Sequence, residues 1–231
     1  MKTIGFIGGM SWESTLEYYR IVNEEVKNRL GGFHSAKCLL YSVDFHEIEE
    51  MQHQGRWDDA AKILVDAAQK VERGGADFIA ICTNTMHKLA EEVEAGIGIP
   101  LLHIADVTAT KIQENGQQKV GLLGTKFTME QDFYKGRLTE KYSIDVIIPP
   151  EEERDAIHAI LYSELCIGDI KAESKEKFQE FIAHLASRGA EGIVLGCTEI
   201  PLIVKQEDYD IPLYDTTDLH AKAAVEMALQ Q

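Results

Sequence analysis

Two short stretches carry side chains able to move protons. In Gly75–Thr85, GADFIAICTNT, an apolar run ends in a cysteine, two threonines and an asparagine; in Gly189–Glu199, GAEGIVLGCTE, a similar run ends in a cysteine, a threonine and a glutamate. Laid over each other without a gap, 114 residues apart, Cys197 falls on Thr83 and Cys82 on Gly196. A thiol at a strand-to-helix turn is a candidate base, because the dipoles at a helix N-terminus can lower its pKa from about 8.5 toward neutrality. Thr83 cannot match it. With a hydroxyl pKa near that of water, ~15.7, its alkoxide lies about 7 units above a thiolate, or roughly 10 kcal/mol. Thr83 is therefore a proton donor, directly or through a water it holds. Cys82 is one position out of step, and side chains alternate across a strand, so it is expected to face the core as a small apolar residue.

The elements that must position these groups are legible as apolar runs. KTIGFIGGM, AKCLLYSVDF, DFIAICTN, IPLLHIAD, QKVGLLGT, SIDVIIPP and EGIVLGCTE are rich in Ile, Val and Leu and bounded by Gly, Pro, Asp or Asn, the signature of strands. Between them, WESTLEYYRIVNEEVKNRL, DAAKILVDAAQKVERG, EERDAIHAILYSELCIG and SKEKFQEFIAHLASRG carry apolar residues at three- and four-residue spacing and end near Gly, as helices do. Alternating strands and helices build βαβ units and parallel sheets, with ligands gathering at the C-terminal strand ends.

The repeat extends beyond the two motifs. TIGFIGG at Thr3 echoes KVGLLGT at Lys119, and IPLLHIAD at Ile99 echoes IPLYDTTD at Ile211, so three matches in the same order have offsets of 116, 114 and 112 residues. Chance similarity of apolar strands would not drift so little. The expectation is an α/β fold of two pseudo-symmetric, Rossmann-like lobes, each a mainly parallel sheet flanked by helices, with the active site in the cleft between them. Residues 1–106 with 213–231 would form the N-terminal lobe and 107–212 the C-terminal one. At 231 residues the chain can bury two such cores. The turns GGMS, TNT, GTKFT and CTE come in repeat-related pairs, and their backbone N–H groups could hold a carboxylate.

Composition excludes several function classes. A net charge of −16 repels nucleic acid and anionic membranes. There is no GxxxxGK[ST] or GxGxxG for nucleotides. The four cysteines form no CxxC pair and no His/Cys ligand spacing, so free thiols and no metal are expected. Without an apolar run of membrane length or a signal peptide, the expected location is cytoplasmic.

With IGFIGGMSWEST at the start, the NT.H portion of TNTMH at Thr83–His87, LLGTKFTMEQDFY and GCTE at Gly196–Glu199, the chain resembles the cofactor-independent aspartate/glutamate racemase superfamily. Within it, the bacterial L-aspartate/glutamate-specific racemases are most similar, and the resemblance spans nearly the whole chain. It implies α/β lobes in a protein that is commonly dimeric, with one thiol from each lobe flanking the α-carbon of an amino acid. The chain departs from that pattern, because Thr83 stands where the family's first motif carries cysteine.

The resemblance implies racemisation of an acidic amino acid, L-glutamate or L-aspartate to the D form, by 1,1-proton transfer without pyridoxal phosphate or another cofactor. Cys197 would abstract and Thr83, or its water, would return the proton. Met10, Ser11, Asn84, Thr85, Thr125 and Thr198 would hold the α-carboxylate, and Glu199 the ammonium. Gln52 would lie near the distal carboxylate, with Arg56 an accessory or merely surface cation. Cys166 stands where some relatives carry lysine. His87 and His103 are expected to cap or pack. A related single-thiol carbanion enzyme, such as a decarboxylase or maleate isomerase, and a non-catalytic amino-acid-binding protein are the alternatives.

Overall fold

The computed structural model describes residues 1–230. The chain divides into two compact units, one formed by Met1–Ile104 with the chain from His220 onward, the other by Ala105–Leu219. The first contains β1 (Ile4–Gly8), β2 (Cys38–Ser42), β3 (Phe78–Ile81) and β4 (Leu101–Leu102), in the order β2-β1-β3-β4. The second contains β5 (Lys119–Gly124), β6 (Asp145–Ile147), β7 (Gly192–Gly196) and β8 (Leu213–Asp215), in the order β6-β5-β7-β8. Every pairing in both sheets is parallel. The α/β architecture expected from alternating runs is present, and the two sheets repeat each other strand for strand. β8 pairs with β7, and the second unit runs past 212, the boundary suggested by the repeat.

The helices are α1 (Trp12–Leu30), α2 (Phe45–His53), α3 (Trp57–Arg73), α4 (Ala90–Ala95), α5 (Ile104–Glu114), α6 (Lys126–Glu130), α7 (Asp132–Gly136), α8 (Glu151–Ser163), α9 (Ala172–Ser187) and α10 (Thr216–Leu229). In the first unit, strand alternation sorts the core into two layers. Ile7, Ile79 and Ile81 pack with α2 and α3, including Ile48, Leu64 and Val71. Ile4, Phe6, Phe78, Ala80 and Cys82 point the other way, onto Tyr18, Val22 and Val26 of α1 and Ala221, Ala224, Val225 and Ala228 of α10. Cys82 therefore lies where strand parity sends it.

One repeated glycine explains how the helices approach so closely. A Cβ on Gly5 would stand 2.5 Å from Val71 of α3, and one on the repeat-related Gly121 would stand 2.9 Å from Leu185 of α9. Both are closer than carbon atoms can come without displacing a neighbour. A side chain in the middle of either central strand would push its covering helix off the sheet. The match of Gly5 with Gly121 thus follows from packing and does not itself point to chemistry.

Candidate active site

In the first unit the candidate residues gather at the C-terminal ends of β1 and β3, which are neighbours in register through Ile7 and Ile81. After β1, Ser11 caps α1 by accepting a hydrogen bond from the Ser14 amide at 3.4 Å, and Thr15 Oγ1 accepts from Gly9 N–H at 2.9 Å. The first bond satisfies a donor that the helix start leaves open, and the second ties the end of β1 to α1. After β3, Thr83 and Asn84 lead into a 3₁₀ turn over Thr85–Leu89. Thr83, Asn84 and Thr85 are all buried. Gln52, on α2 and also buried, directs its side-chain amide to Met86 Sδ at 3.0 Å, so it reaches the same turn. Arg56 is exposed and pairs with Asp59 at 3.7 Å on the first turn of α3, in keeping with a surface cation.

Behind the Thr83 turn lie three buried imidazoles. The centroids of His87 and His103 are 4.6 Å apart, and those of His87 and His220 5.8 Å apart. His220 is tied to the Tyr18 hydroxyl at 2.9 Å and to the Leu102 carbonyl at 2.8 Å. A carbonyl can only accept, so His220 Nε2 carries the proton and Nδ1 accepts from Tyr18. Burial lowers its pKa from 6.5 to about 4, which keeps the ring neutral at physiological pH.

In the second unit, Gly124 and Gly196 end the paired strands β5 and β7 side by side. Thr125 follows the first and caps α6, accepting from the Thr128 amide at 3.2 Å. Cys197, Thr198 and Glu199 follow the second, all buried. The Cys197 thiol donates to Glu199 Oε2 at 2.9 Å, and the Thr198 hydroxyl donates to the same oxygen at 3.0 Å. Cys166, in the 3₁₀ turn Leu165–Ile167 after α8, comes within hydrogen-bonding reach of Cys197. The structure thus brings Thr125, Cys166, Cys197, Thr198 and Glu199 together.

The electrostatics at Cys197 differ from the sequence expectation. Its pKa is pushed well above the usual thiol range, first by the hydrogen bond with Cys166, then by burial and by the negative charge of Glu199. No helix dipole offsets these effects, because the segment after Cys197 is a three-residue 3₁₀ turn, Ile200–Leu202, and not a helix. At rest Cys197 is a neutral thiol whose proton is directed at a buried carboxylate. Glu199 is the hydrogen-bond acceptor for the thiol, a contact the sequence did not suggest. Cys82 is also pushed well upward, by burial alone, and packs as an inert core residue. Among the described residues no group of three or more His, Cys, Asp or Glu side chains could hold a metal ion, and no helix is long and apolar enough to cross a membrane.

Two repeated parallel α/β units, one carrying a buried thiol and carboxylate and the other a Thr-Asn-Thr turn at their strand ends, define the class of two-lobed α/β proteins. Residues 7–224 match the Asp/Glu/hydantoin racemase family, to which the chain belongs. A structure from Yersinia pestis, assigned to the Asp/Glu racemases, is similar with a TM-score of 0.92 and 54% identity over 100% of both chains. An aspartate racemase homologue from Pyrococcus horikoshii follows at 0.86 and 37%, again over 100% of both. The broad-specificity amino-acid racemase RacX of Bacillus subtilis is 25% identical over 96% of each chain.

Proposed function

We propose that the chain racemises an acidic amino acid, glutamate or aspartate, by direct 1,1-proton transfer with no cofactor. The observation that carries this reading is the Cys197 thiol bonded to buried Glu199 at 2.9 Å in a member of a racemase family. In this reading the first step passes the thiol proton along its 2.9 Å hydrogen bond to Glu199. An arriving α-ammonium supplies the opposite charge that favours the thiolate. Cys197 then removes the α-proton. The carbanion is protonated on its other face by the Thr83 hydroxyl or a water it holds, giving the opposite enantiomer; Thr83 or its water regains a proton from solvent and Glu199 returns to solvent the one it took, which restores the resting enzyme. Buried hydroxyls and amides at Ser11, Asn84, Thr85, Thr125 and Thr198 hold the carboxylate and its developing charge. Met10, Gln52 and Cys166 are further substrate-binding residues in this reading, which pictures a cytoplasmic homodimer.

Incubating the protein with L-Glu and L-Asp in D₂O, without added cofactor, tests the proposal. Chiral chromatography with mass detection is expected to show D product carrying one α-deuterium. Neither inversion nor exchange, with retained ligand binding, would instead establish a binding protein. Loss of CO₂ would point to a decarboxylase.

A further inference from the structure

The two nitrogens of His87 reach the turn after β3 and the start of α5. Its Nδ1 lies 2.7 Å from the Thr83 carbonyl oxygen, and its Nε2 accepts from the Ile104 amide at 3.2 Å. The carbonyl can only accept and the amide can only donate, so the ring is fixed as the neutral tautomer with its proton on Nδ1. The side chain is 2% exposed and stands four residues after Thr83, where a turn of 3₁₀ helix folds it back over the residue it holds. It is a crossbar: one end grips the turn after β3, the other the first residue of α5 after β4. His103 packs against it at a tilt and His220 in a T-shaped contact, and His220 is itself anchored to α1 and β4 through Tyr18 and Leu102.

We infer that His87 is the positioning residue for Thr83: by holding the Thr83 carbonyl it fixes where the hydroxyl stands, and so controls protonation on the Thr83 face alone. This rests on Thr83 serving that face. The imidazole moves no proton to or from substrate, since both nitrogens are engaged by backbone groups.

The test reads how the carbanion partitions. With L-Glu in D₂O, deuterium in residual L-Glu reports return of the carbanion from the Cys197 face, and deuterium in D-Glu reports delivery from the Thr83 face. His87→Phe removes both backbone bonds. It is expected to raise the ratio of exchange to inversion about tenfold, with KM for L-Glu moving less than about threefold. A variant that merely lowers the folded fraction scales exchange and inversion together and leaves the ratio unchanged. His87→Asn retains a donor near the Nδ1 position and should keep the parent's ratio within about twofold. His87→Gln, which reaches only toward Ile104, should shift it as Phe does, and serves if the Phe variant does not fold. An unchanged ratio in active Phe or Gln variants, or Asn behaving worse than Gln, overturns the inference alone. A parent with neither exchange nor inversion overturns the racemase reading and this inference with it.

Discussion

The turns after β3 and β7 occupy the same place in two sheets of identical strand order, yet they are built from different chemistry. After β7, a thiol and a hydroxyl converge on one carboxylate oxygen, Glu199 Oε2. After β3, a hydroxyl-bearing residue is held through its backbone by an imidazole. The anchoring of the next helix differs in the same way. Thr216, at the start of α10, bonds the Leu195 carbonyl of β7 directly at 2.8 Å. Its repeat partner Ile104 has no side-chain polar group, and its backbone amide donates to His87 of the β3 turn at 3.2 Å. The repeat has thus kept what packing demands, the strand order and the paired glycines, while the groups at the strand ends have diverged.

The largest effect expected from breaking this asymmetry is at its thiol. Cys197→Ser should abolish turnover in the chiral assay, by about a thousandfold or more, since a serine hydroxyl is a far weaker base. Glu199→Gln should follow, with turnover down by about a hundredfold because the thiol loses its proton acceptor. The same change removes a charge that raises the Cys197 pKa, so the midpoint of its alkylation by iodoacetamide should move to lower pH even as activity falls. That opposition of signs separates Glu199 as acceptor from Glu199 as packing.

Thr83→Cys makes the two turns alike and should raise the initial rate from both enantiomers about tenfold, most visibly from D-Glu. Because free enantiomers are equally stable, any gain in kcat/KM must appear in both directions. In the imidazole cluster, the folded pKa of His220 lies below its ordinary value. Its contribution to stability is full above pH 6.5 and is lost as pH falls toward 4, by about 3 kcal/mol. Urea titrations between those pH values should show this loss, and His220→Phe should flatten it. The smallest effect is at Cys82, where Ser should leave turnover per folded molecule within about threefold of the parent while lowering the urea midpoint.

Much of this asymmetry was legible in the residues. Each of the seven apolar runs contains a strand, and the shift of Cys82 by one position placed it in the α1 and α10 layer. β8 appeared only as an echo of Ile99–Asp106, because IPLYDTTD breaks into polar residues after Tyr214 and offers no long apolar run. The state of Cys197 was read with the wrong sign. The strand-to-turn position suggested a helix dipole, whereas a short 3₁₀ turn follows and the nearest charge is negative. The spacing of Cys197 and Glu199 offered a signal, since residues two apart can share a face at a strand end. His87, four residues after Thr83, offered another, but its partners are backbone atoms that carry no mark in the sequence.

The packing of α10 has a consequence for the order in which the protein matures during synthesis. Ala221, Ala224, Val225 and Ala228 close one layer of the first unit, and the Ala228 carbonyl accepts from the Lys2 amide at 2.8 Å. A ribosome therefore releases every residue of the second unit before it delivers the helix that completes the first. Until then Phe6, Phe78 and Cys82 have α1 but not α10 as cover, so the part of the chain that is translated first is completed by the part that is translated last.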